Sequence, residues 1–146
     1  LNRGVFMAEM NVNERESFLS EVRVAVLAIE RDDKGPLCAP IWYRYSSDVG
    51  FEIAMAYDSA KSVLLRRHGV ATICVQDEQL PYRYVTAEGE ALVELMTREE
   101  RDDVLRDIAI RYLGAELGNQ YADAFPGHDE AKVTVKPRRW RSDVLG

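Results

Sequence analysis

The run from Tyr82 to Leu95 (YRYVTAEGEALVEL) constrains the fold most, because it is long, extended in character and carries one glycine, Gly89, in its interior. Glycine inside a strand pattern marks a bulge or bend. A long strand that bends can curl around a barrel, so length and glycine together point to barrel curvature. The segment Arg23 to Ile29 agrees, being apolar at nearly every position, as a strand buried on both faces of a closed or nearly closed barrel would be. Asp32-Asp33-Lys34-Gly35 then supplies turn chemistry, which predicts that Pro36 to Tyr45 pairs back antiparallel. A second turn cluster, Ser46 to Gly50, leads into a strand from Phe51 to Ala56, and another strand is expected over Val70 to Val75.

Helices interrupt this pattern. Asn13, with Glu16 three residues on, predicts an N-terminus for a short helix that turns Phe18, Leu19 and Val22 inward. Asp58 or Ser59 caps one or two turns reaching Arg67. Thr97-Arg98-Glu99-Glu100 is a capping box, followed by Val104, Leu105, Ile108, Ala109 and Tyr112 on one face and ended by Gly114. A further helix is expected over Leu117 to Ala124, ahead of Pro126-Gly127. Lys132 to Lys136 alternates as a half-exposed strand, which Trp140 to Val144 continues past Pro137. The expected architecture is mainly β, a six- to seven-stranded antiparallel barrel with inserted helices.

A chain of 146 residues that is 47% hydrophobic can bury a core without disulfides, so one domain is expected over residues 13–146, with 1–12 as an N-terminal extension. Met7 or Met10 would be an ordinary start, and Leu1 to Phe6 are left out of the fold reading. The net charge of -6 argues against nucleic-acid partners, which rely on neutralising phosphates. Cys38 and Cys74 sit in apolar segments without metal-ligand spacing, and with His68 and His128 they complete no metal cluster. They read as reduced core residues of a cytoplasmic protein. No apolar run approaches the roughly 18 residues of a membrane span, and no membrane partner is expected. Neither a Ser-His-Asp set nor a carboxylate pair can be made out, and His128 reads as a loop residue.

One cluster has the chemistry of an anion site. A helix beginning at Asp58-Ser59 offers free N–H groups and the positive end of its dipole, Ser59 adds a hydroxyl, and Lys61 can place an ammonium over a phosphate. Arg66 and Arg67 could reinforce it. Equally, Lys61, Arg66 and Arg67 fit a solvated helix face.

Five segments, in order, resemble the pyridoxamine 5'-phosphate oxidase-like superfamily, and especially its actinobacterial branch that uses FMN or the deazaflavin coenzyme F420. They are Arg23-Val-Ala-Val-Leu-Ala, Cys38-Ala-Pro-Ile-Trp-Tyr43, Asp58-Ser-Ala-Lys61 with Leu64-Leu-Arg-Arg67, Tyr82-Arg-Tyr-Val-Thr-Ala-Glu-Gly89, and Pro137-Arg-Arg-Trp-Arg-Ser142. Together they span about Arg15 to Ser142. The resemblance implies an FMN-binding type of split β-barrel, working as a homodimer with the cofactor pocket at the subunit interface. It implies a cofactor, FMN or F420, whose ring lies along Pro40, Ile41, Trp42 and Tyr43, near Met55, Ala56 and Tyr57, with the phosphate at Ser59 and Lys61. Tyr82, Arg83, Trp140 and Arg141 are the residues a second subunit would contribute. Trp42 and Trp140 also fit structural roles, in packing and in stacking with arginine.

The activity so implied is an oxidoreductase moving a hydride between cofactor and a small conjugated or apolar substrate, with Tyr43 or Tyr57 as the proton donor if one is used. Met55, Tyr57 and Leu64 depart from the polar residues common at those places in the family. A non-catalytic flavin- or haem-binding carrier or stress protein is therefore the alternative, and a dimer without cofactor a third reading.

Overall fold

Among residues 7–124 and 129–146, which the computed structural model describes, the chain runs in the order β1 (Met7–Ala8), α1 (Val12–Ser20), β2 (Ala25–Ile29), β3 (Leu37–Ile41), β4 (Arg44–Ser46), β5 (Gly50–Ala56), α2 (Ala60–His68), β6 (Val70–Asp77), β7 (Tyr82–Leu95), α3 (Arg98–Leu113), α4 (Ala115–Ala124) and β8 (Glu130–Leu145). Leu1 to Phe6 and the Pro126-Gly127-His128 segment lie outside the described residues. One antiparallel sheet has the order β3-β2-β6-β7-β8-β5-β4, with β1 paired to β8. It curls into a split β-barrel.

The bend falls where the glycine predicts it. The β7–β8 register shifts between Glu88 and Gly89, and a side chain at Gly89 would overlap the Lys136 carbonyl. Pro137 is tolerated inside β8 because it stands opposite Gly89 at this irregularity. The barrel is filled by Leu27, Ile53, Ile73, Val75, Val85 and Val133, all at most 2% exposed, and α1 adds Phe18 and Leu19. Each such side chain contributes about 1.5–3 kcal/mol by leaving water.

Several details differ from the sequence reading. The cap of α1 is Asn11, not Asn13: its Oδ1 accepts from the Glu14 N–H at 2.8 Å and its Nδ2 donates to Glu14 Oε1 at 2.7 Å. Asn11 and Asn13 each have a glutamate three residues on, and the choice is made upstream, where Met10 is buried and its N–H donates to Ser142 Oγ. The packed structure thus takes in Met7 to Val12, residues set ahead of the domain by their sequence, and with β1 it reaches eight strands. β2 is buried on one face only: Val26 is 42% exposed, and Val24, just ahead of the strand, is 52% exposed. Cys38 is exposed and Cys74 half-buried, so neither is a core residue; both project to the outer face of the sheet and both are free thiols. Val22 lies beyond the end of α1 and is exposed. No described helix is long and apolar enough to cross a membrane.

Candidate functional site

The start of α2 is built by Ser59, whose Oγ accepts from the Ser62 N–H at 3.3 Å and whose carbonyl accepts from Val63 N–H at 3.0 Å. The N–H groups of Ala60 and Lys61 have no carbonyl behind them in the helix, and the dipole adds positive potential there. The neighbouring cations are occupied. Arg66 stacks 3.6 Å over the Tyr57 ring and donates to the Tyr57 carbonyl at 2.9 Å, while Arg67 pairs with Asp32. Lys61 has no ion-pair or hydrogen-bond partner among the described residues, and it faces a cleft of about 660 Å³.

The cleft floor is β5, where Ala54 and Ala56 keep the outer face low, with Glu130 directly across from Ala56 on β8. One side is Val24 with Pro40, Ile41 and Trp42, where the chain leaves β3; the roof is Leu105 and Ile108 of α3 with Tyr121 of α4. Trp42 is held flat against Tyr112 of α3, ring centroids 5.0 Å apart and planes 6° from parallel, and meets Tyr121 at 5.8 Å and 50°. Tyr112 is itself fixed, its hydroxyl donating to the Arg23 carbonyl at 2.7 Å and accepting from Tyr43 N–H at 3.2 Å.

The roof is braced. Arg106 of α3 reaches Asp123 at 2.7 Å and Asn119 Oδ1 at 2.9 Å on α4, and Gly118 lets the helices approach until a Cβ there would meet the Ile110 backbone. Arg111 donates to the Leu19, Ser20 and Glu21 carbonyls at the end of α1, an anchoring that also complements that helix end.

Of the residues named from sequence, the structure brings Pro40, Ile41, Trp42, Met55, Ala56, Ser59 and Lys61 into this cleft. It does not bring Tyr43, Tyr57, Tyr82 or Trp140. Tyr43 is fully buried in the barrel, donates to the Leu19 carbonyl at 3.1 Å, and is pushed up to about 12 by burial. Its side chain packs in the barrel core and is not part of the cleft lining. Tyr57 lies beneath Arg66. Tyr82 lines a different cavity with Asp77, Arg83 and Asp143, and Arg83 is bound to Asp77 at 2.7 Å. Trp140 packs on Phe51 and Tyr45, with the Arg15 guanidinium 3.8 Å over its ring.

The lining residues that sequence reasoning passed over are Val24, Ala54, Leu105, Ile108, Tyr121 and Glu130. The apolar face of α3 contained Leu105 and Ile108, but nothing in its period tells a residue against the barrel from one roofing a cleft.

This is a split β-barrel carrying a cleft with a cationic helix start at one end and aromatic walls at the other. Among solved structures, the chain is similar to the Mycobacterium tuberculosis protein Rv2991, with a TM-score of 0.76 and 23% identity over 97% of this chain and 87% of that one. It is similar to a FAD-binding protein from Mesorhizobium loti, with a TM-score of 0.68 and 15% identity over 97% and 99% of the two chains. It is also similar to an F420 reductase, with a TM-score of 0.61 and 17% identity over 86% and 94%. No protein-family model and no curated protein matches the sequence. At these identities the likeness establishes the fold.

Proposed function

We propose that the cleft holds a flavin-type cofactor, FMN or coenzyme F420, and that the protein is an oxidoreductase acting on a small conjugated or apolar substrate. The observation that carries this reading is the meeting, in one cleft, of Lys61, unpaired among the described residues and at a helix N-terminus, with a shallow slot between Ala54, Ala56 and Trp42. The donor set suits a phosphate, and the slot suits a flat ring. When bound, such a cofactor supplies the hydride donor or acceptor. The chain's own part is to bind and to exclude water. Lys61, Ser59 and the first N–H groups of α2 hold the anionic end, Pro40 to Trp42 edge the ring, and Leu105, Ile108 and Tyr121 keep the slot dry. Likeness in fold to a FAD-binding protein and an F420 reductase supports this choice of cofactor.

The active form in this reading is a homodimer. The exposed Val24, Val26, Cys38 and Pro40 make an uncharged outer face beside the cleft, suited to a second copy. Tyr82 and Arg141, both exposed, are the residues the partner copy would add. Light scattering at micromolar concentration tests this, and a monomer would sink it.

The cofactor reading is tested by titrating FMN and F420 separately while following fluorescence. Tight binding of one supports it; binding of neither rejects it. Lys61→Ala is expected to weaken binding by about 1–3 kcal/mol, the scale of a charge-assisted contact. A carrier is the second reading, and the cleft lining among the described residues includes neither Tyr43 nor Tyr57, the phenols expected to donate a proton in an enzyme. Reduced cofactor that is oxidised only on addition of a substrate would decide for the enzyme.

A further inference from the structure

The pairing of β2 with β3 sets Ile29 opposite Leu37, Leu27 opposite Ala39 and Ala25 opposite Ile41, and at the same spacing the next rung would join Arg23 to Tyr43. That rung is not made, for β2 begins at Ala25 and β3 ends at Ile41. In its place stands the Tyr112 hydroxyl of α3, which accepts from the Tyr43 N–H at 3.2 Å and donates to the Arg23 carbonyl at 2.7 Å. A hydroxyl carries one proton and two lone pairs, so it can do both. The two backbone groups are thereby satisfied while the chain segments that bear them stay apart. Between this open rung and the last closed one, the same register sets Val24 against Trp42. In a continued ladder their Cβ atoms would lie about 4.5–5.5 Å apart, with the side chains in contact. Here both line the cleft, and Trp42 lies flat on the Tyr112 ring, centroids 5.0 Å apart. Tyr112 itself is not part of the lining.

Resting on the flavin-type reading above, we propose that Tyr112 is a positioning residue for the ligand: it props β2 and β3 open beside the cleft and fixes the plane of Trp42, and so sets the width of the slot offered to a flat ring. Two separable parts of one side chain do this. The hydroxyl replaces the missing rung, and the ring backs Trp42. The wedge cannot simply withdraw, because Arg111, next to it in sequence, donates to the Leu19, Ser20 and Glu21 carbonyls and pins this end of α3. Tyr112→Phe keeps the stack and removes the bridge. The Tyr43 N–H and the Arg23 carbonyl then regain partners by closing on each other, which draws Trp42 toward Val24 and narrows the slot.

The test compares Tyr112→Phe with Tyr43→Phe, which also deletes one hydroxyl bond to a backbone carbonyl, that of Leu19, but inside the barrel. Each variant is titrated with FMN and with F420 by fluorescence. Each is also made in a Trp140→Phe background, where Trp42 is what remains of the chain's two tryptophans, for emission and near-ultraviolet circular dichroism without ligand. Thermal melting is the fold control. Tyr112→Phe should alter the Trp42 signal and weaken the cofactor that the wild type binds by about five- to tenfold. Tyr43→Phe should do neither. An equal loss of affinity in both variants would reduce Tyr112 to a stabilising residue and overturn the proposal, as would an unchanged Trp42 signal or an unchanged affinity in Tyr112→Phe. In each of those outcomes the wild type still binds its cofactor, and the flavin-type reading stands. A wild type that binds neither FMN nor F420 overturns that reading and this inference together.

Discussion

The two tryptophans occupy opposite sides of the same sheet and divide its labour. Trp140 points into the barrel against Phe51 and Tyr45, capped by Arg15. Trp42 stands outside it, clamped on Tyr112 with its other neighbour, Tyr121, across the cleft wall. One is surrounded and serves stability; the other is propped from behind and presents a surface. The interior of this barrel is filled by side chains such as Leu27, Ile53, Ile73 and Val133, whereas the outer wall with its helices leaves the cleft that the proposed ligand would use.

Variants should separate the two regions. Trp140→Ala is expected to have the largest effect, about 3 kcal/mol of unfolding free energy by denaturant titration, with ligand affinity per folded molecule little changed. Trp42→Ala should cost less stability, about 2 kcal/mol, yet weaken FMN or F420 binding, because the wall and its stack on α3 go together. Comparable losses of affinity in both variants would abolish the distinction. Lys61→Ala should act on binding alone, with the melting temperature within about 2 °C of wild type. Tyr43→Phe should cost about 1 kcal/mol for the lost bond to Leu19 and leave ligand binding intact. A larger effect on binding than on stability would return Tyr43 to the site.

Alkaline pH gives a further check on the interior. Burial raises the Tyr43 phenol from 10.0 to about 12, and burial with the Glu16 hydrogen bond raises Tyr45 likewise. Both phenols are protonated in folded and unfolded chains below pH 10, so their contribution is complete there. As pH rises from about 10 to 12 the unfolded chain ionises first, and stability falls. Tyr43→Phe should lessen that fall.

The barrel was legible wherever a local rule had one solution. Gly89 in a long strand, the Thr97–Glu100 capping box and the Ser59 cap appear in the structure as their residues imply. Where two local solutions compete, a distant contact chooses: Asn11 prevails over Asn13 because Met10 is fastened to Ser142. Apolar character on both faces of Val24 to Ile29 does not by itself tell core from an exposed wall, and Val24 and Val26 turned out to be wall. Tyr43 and Trp42 were assigned alike because they are adjacent, but the chain leaves the sheet between β3 and β4 at that point and sends them to opposite sides. Tyr121 and Glu130 join the cleft only when α4 and the start of β8 are docked, and no short-range pattern carries that information.

The Arg106 brace has a kinetic corollary. Since it ties α3 to α4 through Asp123 and Asn119, while Arg111 and Tyr112 fasten the far end of α3 to the rest of the chain, the two roof helices are held as one unit over the cleft. For a ligand of the kind proposed, cutting the brace from outside the cleft lining is expected to change the rates of binding and release while the walls keep their chemistry.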